Sequence, residues 1–97
     1  MAILRMTRFT ADPADADQVI ARRNDLITAV RAAYPGLTET RLARIDEHTW
    51  VDSWRWESPA TMEAALAGAP SLPQAEAAFS ILKGHPTAEQ GEIVDER

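Results

Sequence analysis

Ninety-seven residues, 45% hydrophobic and 26% charged, make one globular domain and leave no case for disorder across the chain as a whole. The chain has no cysteine, which excludes disulfides, thiolate zinc sites, iron–sulfur clusters and a cysteine nucleophile. A net charge of −5 argues against nucleic acid or an anionic membrane as partner, and neither a signal peptide nor a run of ~20 apolar residues is visible, so a cytoplasmic setting is expected.

Ile3 to Thr10 is apolar on both parities, with Ile3 and Phe9 on one and Leu4 and Met6 on the other. That pattern predicts a central strand. Asp12-Pro13 supplies an N-cap followed by proline in the first turn, and Asp15 and Asp17 follow where negative charge favours a helix start. Val19, Ile20, Leu26, Ile27, Val30, Ala33 and Tyr34 recur at helical spacing, and Pro35-Gly36 stops the helix. Leu37 to Asp46 alternates as a second strand, with Leu37, Ala43 and Ile45 expected on one face. After a turn at Asp46-Glu47-His48, Thr49 to Glu57 forms a third strand holding all three tryptophans.

Ser58-Pro59 repeats the cap-then-proline signal. Met62, Ala65 and Leu66 give the inner face of a short helix that Gly68 ends. Ala69 to Leu72 reads as a loop, and Pro73 to Leu82 as another helix with Phe79 and Leu82 inward. Gly84-His85-Pro86 breaks it, and Ala88 to Asp95 forms a polar last strand around Ile93 and Val94.

The order is β-α-β-β-α-β with a split second helix, an α+β fold of the ferredoxin-like kind. Helices cover one face of such a sheet, and the other must be buried by something else. A small chain has a thin stability margin, and a symmetric partner sheet meets both needs, so a homodimer is expected. Leu4 and Met6 take the open face if Ile3, Arg5, Thr7 and Phe9 point to the helices; the sequence does not fix that parity.

The third strand carries most of the chemistry. Trp50, Asp52, Trp54 and Trp56 share one parity, and Val51, Ser53 and Arg55 the other. Three indoles on one face bury on the order of 200 Å² each when packed. They form either plain core or the wall of a ligand pocket. A carboxylate among indoles holds its proton to higher pH unless a cation or N–H donors keep it ionised, and so becomes a candidate base near neutrality. Asp52 is therefore either a proton acceptor or half of a structural ion pair, for example with Arg5. The strand arginines Arg5, Arg8, Arg41, Arg44 and Arg55 have Glu39, Asp52 and Glu92 as cross-strand partners. At least one of them is free to face an anionic or enolic ligand.

His48 and His85 are the only histidines, both in expected turns, with no metal-ligand spacing. Tyr34 closes the first helix. No G-x-G-x-x-G, Walker or G-x-S-x-G motif is present, so nucleotide and serine-hydrolase chemistry have no support.

Arg8-Phe9-Thr10, the Tyr34-Pro35-Gly36-Leu37 hinge, and above all Trp54-Arg55-Trp56-Glu57-Ser58 running into Met62-Glu63-Ala64 are similar to one known pattern. Over nearly its whole length the chain resembles the antibiotic-biosynthesis monooxygenase family, within the dimeric α/β-barrel superfamily. The resemblance implies a barrel formed across a homodimer, with a pocket in each subunit between helices and sheet. It implies oxidation of an aromatic, polycyclic phenol by molecular oxygen without metal or flavin. Asp52 and Arg5 then suit the base and the anion stabiliser. Trp50, Trp54, Trp56, Thr7 and Tyr34 suit the substrate-binding surface. A haem-degrading branch uses an asparagine, a tryptophan and a histidine; here those positions correspond to Thr7, Ala65 and the Ala75-Glu76 region, which argues against haem degradation. A cyclase or isomerase on the same barrel, and a non-catalytic small-molecule-binding dimer, remain alternatives.

Overall fold

A computed structural model describes all of residues 1–97. Its elements are β1 (Ile3–Ala11), α1 (Ala16–Ala33), β2 (Leu37–Arg44), β3 (Thr49–Trp56), α2 (Pro59–Gly68), α3 (Pro73–Ser80) and β4 (Leu82–Glu92). The sheet order is β2-β3-β1-β4, and every neighbouring pair is antiparallel. Each helical crossover therefore spans one intervening strand, which is the ferredoxin-like topology expected from the sequence. No helix is long and apolar enough to cross a membrane.

The helix starts follow the sequence signals. The Asp12 carboxylate accepts from the Ala14 N–H at 2.9 Å, and Pro13 opens a 3-10 turn, Pro13–Asp15, that leads into α1. Ser58 Oγ accepts from the Thr61 N–H at 3.2 Å, with Pro59 in the first turn of α2, where its missing N–H costs nothing. The second helix is split by a 3-10 turn, Ala69–Ser71, in place of the expected loop. Gly36 ends the exit from α1 at φ +107°, and a Cβ there would lie 2.6 Å from the Thr61 Cβ. Only glycine satisfies both the backbone conformation and the closeness to α2.

Residues directly opposite each other in an antiparallel ladder share a face. The β1–β3 register sets Ile3, Arg5, Thr7 and Phe9 against Trp56, Trp54, Asp52 and Trp50. Phe9, Trp50, Asp52 and Trp56 are buried, so this is the helix side. Leu26, Ile27, Val30, Leu37, Trp56, Met62, Ala65 and Ala75 form one core cluster, and Phe9, Ala11, Val19 and Trp50 another. The opposite parity, with Leu4, Met6, Ser53 and Val51, faces away from the helices, and none of these four is buried.

Three sequence expectations are corrected. The face made of Leu37, Ala43 and Ile45 does not form. β2 has a bulge between Leu37 and Glu39, so that Leu37 opposes Trp56 while Glu39 opposes Arg55. One extra residue reverses the parity beyond it. Leu42 turns to the helix side, while Ala43 and Ile45 are exposed. The second correction is at Gly84-His85-Pro86, which does not precede the last strand but lies within it. The three residues bulge opposite Phe9, between the Thr87–Arg8 and Lys83–Thr10 pairs. Gly84 takes φ +66°, and Pro86 sits at an edge-strand irregularity where no ladder N–H is needed. Third, Ile93 and Val94 lie beyond β4. The Ile93 N–H still reaches the Ala2 carbonyl at 3.0 Å, but Val94 is exposed.

The chain after β4 bends back over the open face of the sheet. Arg55 Nη2 donates to Glu96 Oε2 at 2.8 Å and Arg55 Nε donates to Oε1. Arg55 Nη1 donates to Thr38 Oγ1 at 2.8 Å.

Candidate functional site

Between the helix side of the sheet and the three helices lies a cavity of ≈ 640 Å³, with 14 of its 20 lining residues hydrophobic. Its floor is supplied by Arg5, Thr7, Asp52, Trp54 and Trp56. Its roof includes Leu26 and Val30 of α1, Ala65 of α2 and Ala78 of α3. The cavity exists because a floor of large aromatics meets a roof of alanines from the Ala-rich segment after Ser58. Small side chains there leave space that leucines would fill.

Few polar groups interrupt this lining. Asp52 is held in a two-pronged ion pair by α1: Arg23 Nε donates to Oδ2 at 2.8 Å and Nη2 to Oδ1 at 2.9 Å. The two side chains are only 14% and 11% exposed. Arg5, two ladder positions from Asp52's partner Thr7, donates from Nη1 to Gln90 Oε1 at 2.6 Å. It forms no ion pair with any carboxylate; the five in the fold involve Arg23, Arg41, Arg55, Lys83 and Arg97. Trp56 is 2% exposed, and its indole N–H is the one buried side-chain polar atom without a hydrogen-bond partner. A buried donor left unpaired costs on the order of 1–3 kcal/mol.

The structure brings together Arg5, Thr7, Asp52, Trp54 and Trp56 out of the residues singled out in the sequence. It does not bring Trp50 or Tyr34 to the cavity. Trp50 stacks on Phe9 (ring centroids 6.2 Å apart, planes 5° from parallel) with the Arg44 guanidinium 4.7 Å from its ring centre. It belongs to the core near the β2–β3 turn. Tyr34 caps the C-terminus of α1 and packs against the larger core cluster, its ring beside Gly68. The strand length separates Trp50 from the other two indoles: one parity continues past the end of the cavity.

Arg23 is the site residue the sequence reading missed. It lies four residues after Val19 and three before Leu26, on the stripe that α1 buries. A cation on an apolar helix stripe needs a buried anion, and Asp52 on the tryptophan face was the one available. His48 and His85 are exposed, and no group of three or more His, Asp or Glu side chains is placed to hold a metal ion. Two surface carboxyl groups have shifted equilibria. The His48 backbone N–H, followed by Thr49, holds the Asp46 carboxyl below its ordinary value in the β2–β3 turn. The Arg55 hydrogen bond does the same for Glu96.

No family model matches the chain, and no curated protein does. Solved structures do. SnoaB from Streptomyces nogalater, a cofactor-independent oxygenase, is 26% identical, with a TM-score of 0.65 over 99% of this chain and 94% of its own. Rv0793 from Mycobacterium tuberculosis is 20% identical, with a TM-score of 0.69 over 99% and 98%. An antibiotic biosynthesis monooxygenase is 13% identical, with a TM-score of 0.69 over 96% and 99%. The fold is thus shared end to end with antibiotic-biosynthesis-monooxygenase-like proteins, the resemblance drawn from the sequence.

Proposed function

We propose that this chain is a cofactor-independent monooxygenase that oxidises an aromatic or polyketide-like small molecule with molecular oxygen. The observation that carries the reading is the composition of the cavity: two indoles and a largely apolar lining around one carboxylate and two guanidiniums. Fold similarity to a cofactor-independent oxygenase supports it.

The substrate itself supplies the electrons. Asp52 takes a proton from an acidic C–H or phenol O–H; its two oxygens accept from Arg23, and each retains a second lone pair. Arg23 fixes the carboxylate's orientation. Arg5 holds the negative oxygen that develops. The apolar lining keeps water from the electron-rich anion until oxygen arrives. A methylene becomes a carbonyl, one oxygen atom stays in the product and the other leaves as water. Thr7 and Trp54 complete the surface on which the rings lie.

In this reading the working unit is a homodimer in the cytoplasm, with two sheets stacked on their open faces. Only 13 of the 97 residues are buried in the single chain, a small core for a stable fold.

The full pairing of Asp52 favours a second reading, in which the ion pair is structural and the cavity binds without turnover. Oxygen uptake by metal-free protein with an anthrone-type phenol, corrected for autoxidation, separates the two. Uptake above the control that disappears in Asp52→Asn is the expected result. No uptake, with the phenol still quenching tryptophan fluorescence, moves the assignment to a binder or to a cyclase-type enzyme that needs no oxygen.

A further inference from the structure

The charges of the cavity do not cancel. Among its lining residues the ionised groups are Arg5, Arg23 and Asp52. Arg23 and Asp52 neutralise each other through two hydrogen bonds. Arg5 is left with the neutral Gln90 carbonyl as its hydrogen-bond acceptor. The cavity therefore carries one uncompensated positive charge, in a chain whose net charge is −5. A partly desolvated guanidinium without an anion is the less favourable state of that group. Most of its donors remain available, since an arginine has five N–H groups and one is engaged. Trp54 lies directly across the ladder from Arg5 on the same face, with its ring tilted 42° against that of Trp56 at 6.4 Å.

We infer that the cavity selects its ligand as an anion: a flat aromatic molecule bearing an ionised oxygen acid, whose negative oxygens dock on Arg5 while its rings cover Trp54. This rests on the proposed reading only in taking the cavity as the ligand site, and it names the charge class of the substrate. A carboxylate or an acidic phenol supplies the same chemistry, because both present a charged oxygen to a planar fork of N–H donors. Neutral polycyclic hydrocarbons fit the volume but leave Arg5 as it is.

The test compares pairs of ligands that differ in charge and hardly in shape. Anthracene-2-carboxylate is set against anthracene-2-carboxamide, and 2-hydroxy-1,4-naphthoquinone, ionised at neutral pH, against its methyl ether. Dissociation constants are measured by calorimetry at pH 7 and low salt, for the wild type, Arg5→Gln and Arg5→Lys. The expected result is about tenfold tighter binding of the anion in at least one pair. That ratio should fall to about one in Arg5→Gln and be largely retained in Arg5→Lys. The pair that shows the preference identifies the acid as carboxylate or phenol. Equal affinities within both pairs, a preference that persists in Arg5→Gln, or no binding of any probe overturns the inference. Failure of the oxygenase reading is seen separately, as absent oxygen uptake with the anion preference intact.

Discussion

At the scale of single residues, the controlling feature is a charged pair in an apolar place. Arg23 and Asp52 come from different elements, and each makes the other's burial tolerable. A buried pair contributes little relative to an apolar pair of the same shape, but removal of one partner strands the other. Asp52→Ala should therefore lower unfolding free energy by ~3 kcal/mol, measured by urea denaturation. Asp52→Asn, which still accepts from Arg23, should cost clearly less while abolishing turnover. A small loss in Asp52→Ala would mean that the cavity admits water to Arg23 and is wetter than its lining suggests. Trp56 adds the complementary feature, a buried indole N–H without an acceptor, a cost that burial of its large ring outweighs.

At the scale of elements, backbone irregularities place the site. The β2 bulge at Thr38 turns Leu42 toward the helices, and the β4 bulge brings Pro86 to the cavity. Two glycines with positive φ make different demands. Gly36 has both φ +107° and the Thr61 side chain in the way of a Cβ, whereas Gly84 has φ +66° and open space around it. Gly36→Ala should cost more than ~2 kcal/mol, combining strain with a clash at the head of α2. Gly84→Ala should cost only ~1 kcal/mol, the penalty of a left-handed alanine. Thermal unfolding of the two variants checks the order.

The C-terminal segment responds to acid. The Arg55 hydrogen bond holds the Glu96 carboxyl below its ordinary 4.5. A carboxyl lowered in the folded state contributes above its unfolded value and loses that contribution as pH falls through the folded one. Residues 94–97 should thus stay docked at neutral pH and release below about pH 4.5, followed by the NMR shifts of their amides and of the Arg55 Nε–H. A segment already free at pH 7 would contradict this.

For the whole molecule, the question is what covers the far side of the sheet. The helix side holds both core clusters and the cavity, while Leu4, Met6 and Val51 face away with no element above them except the returning C-terminal segment. Sheet-on-sheet pairing of two copies would bury that face. Sedimentation should give a dimer at micromolar concentration, and Val51→Glu should give a monomer whose far-UV spectrum is unchanged, because Val51 is outside both cores. A monomeric wild type would remove the dimer from the proposed function.

The sequence by itself determined the element order, both proline-capped helix starts, the sharing of one sheet face by Asp52, Trp54 and Trp56, and the resemblance that the shared fold bears out. These are local matters of period two, period 3.6 and turn chemistry, written in neighbouring residues. Tertiary structure decided the rest. Which parity of β1 meets the helices depends on strand pairing, and the one-residue bulge in β2 shifts parity without a mark in the alternation. Whether an indole lines a cavity or fills a core depends on what packs above it: Trp50 is buried in one core cluster, Trp56 belongs to the other while edging the cavity, and Trp54 is left half-buried on the cavity floor. The partner of Asp52 is 29 residues away on a helix, and only the packing of that helix on the sheet could choose Arg23 and leave Arg5 to Gln90.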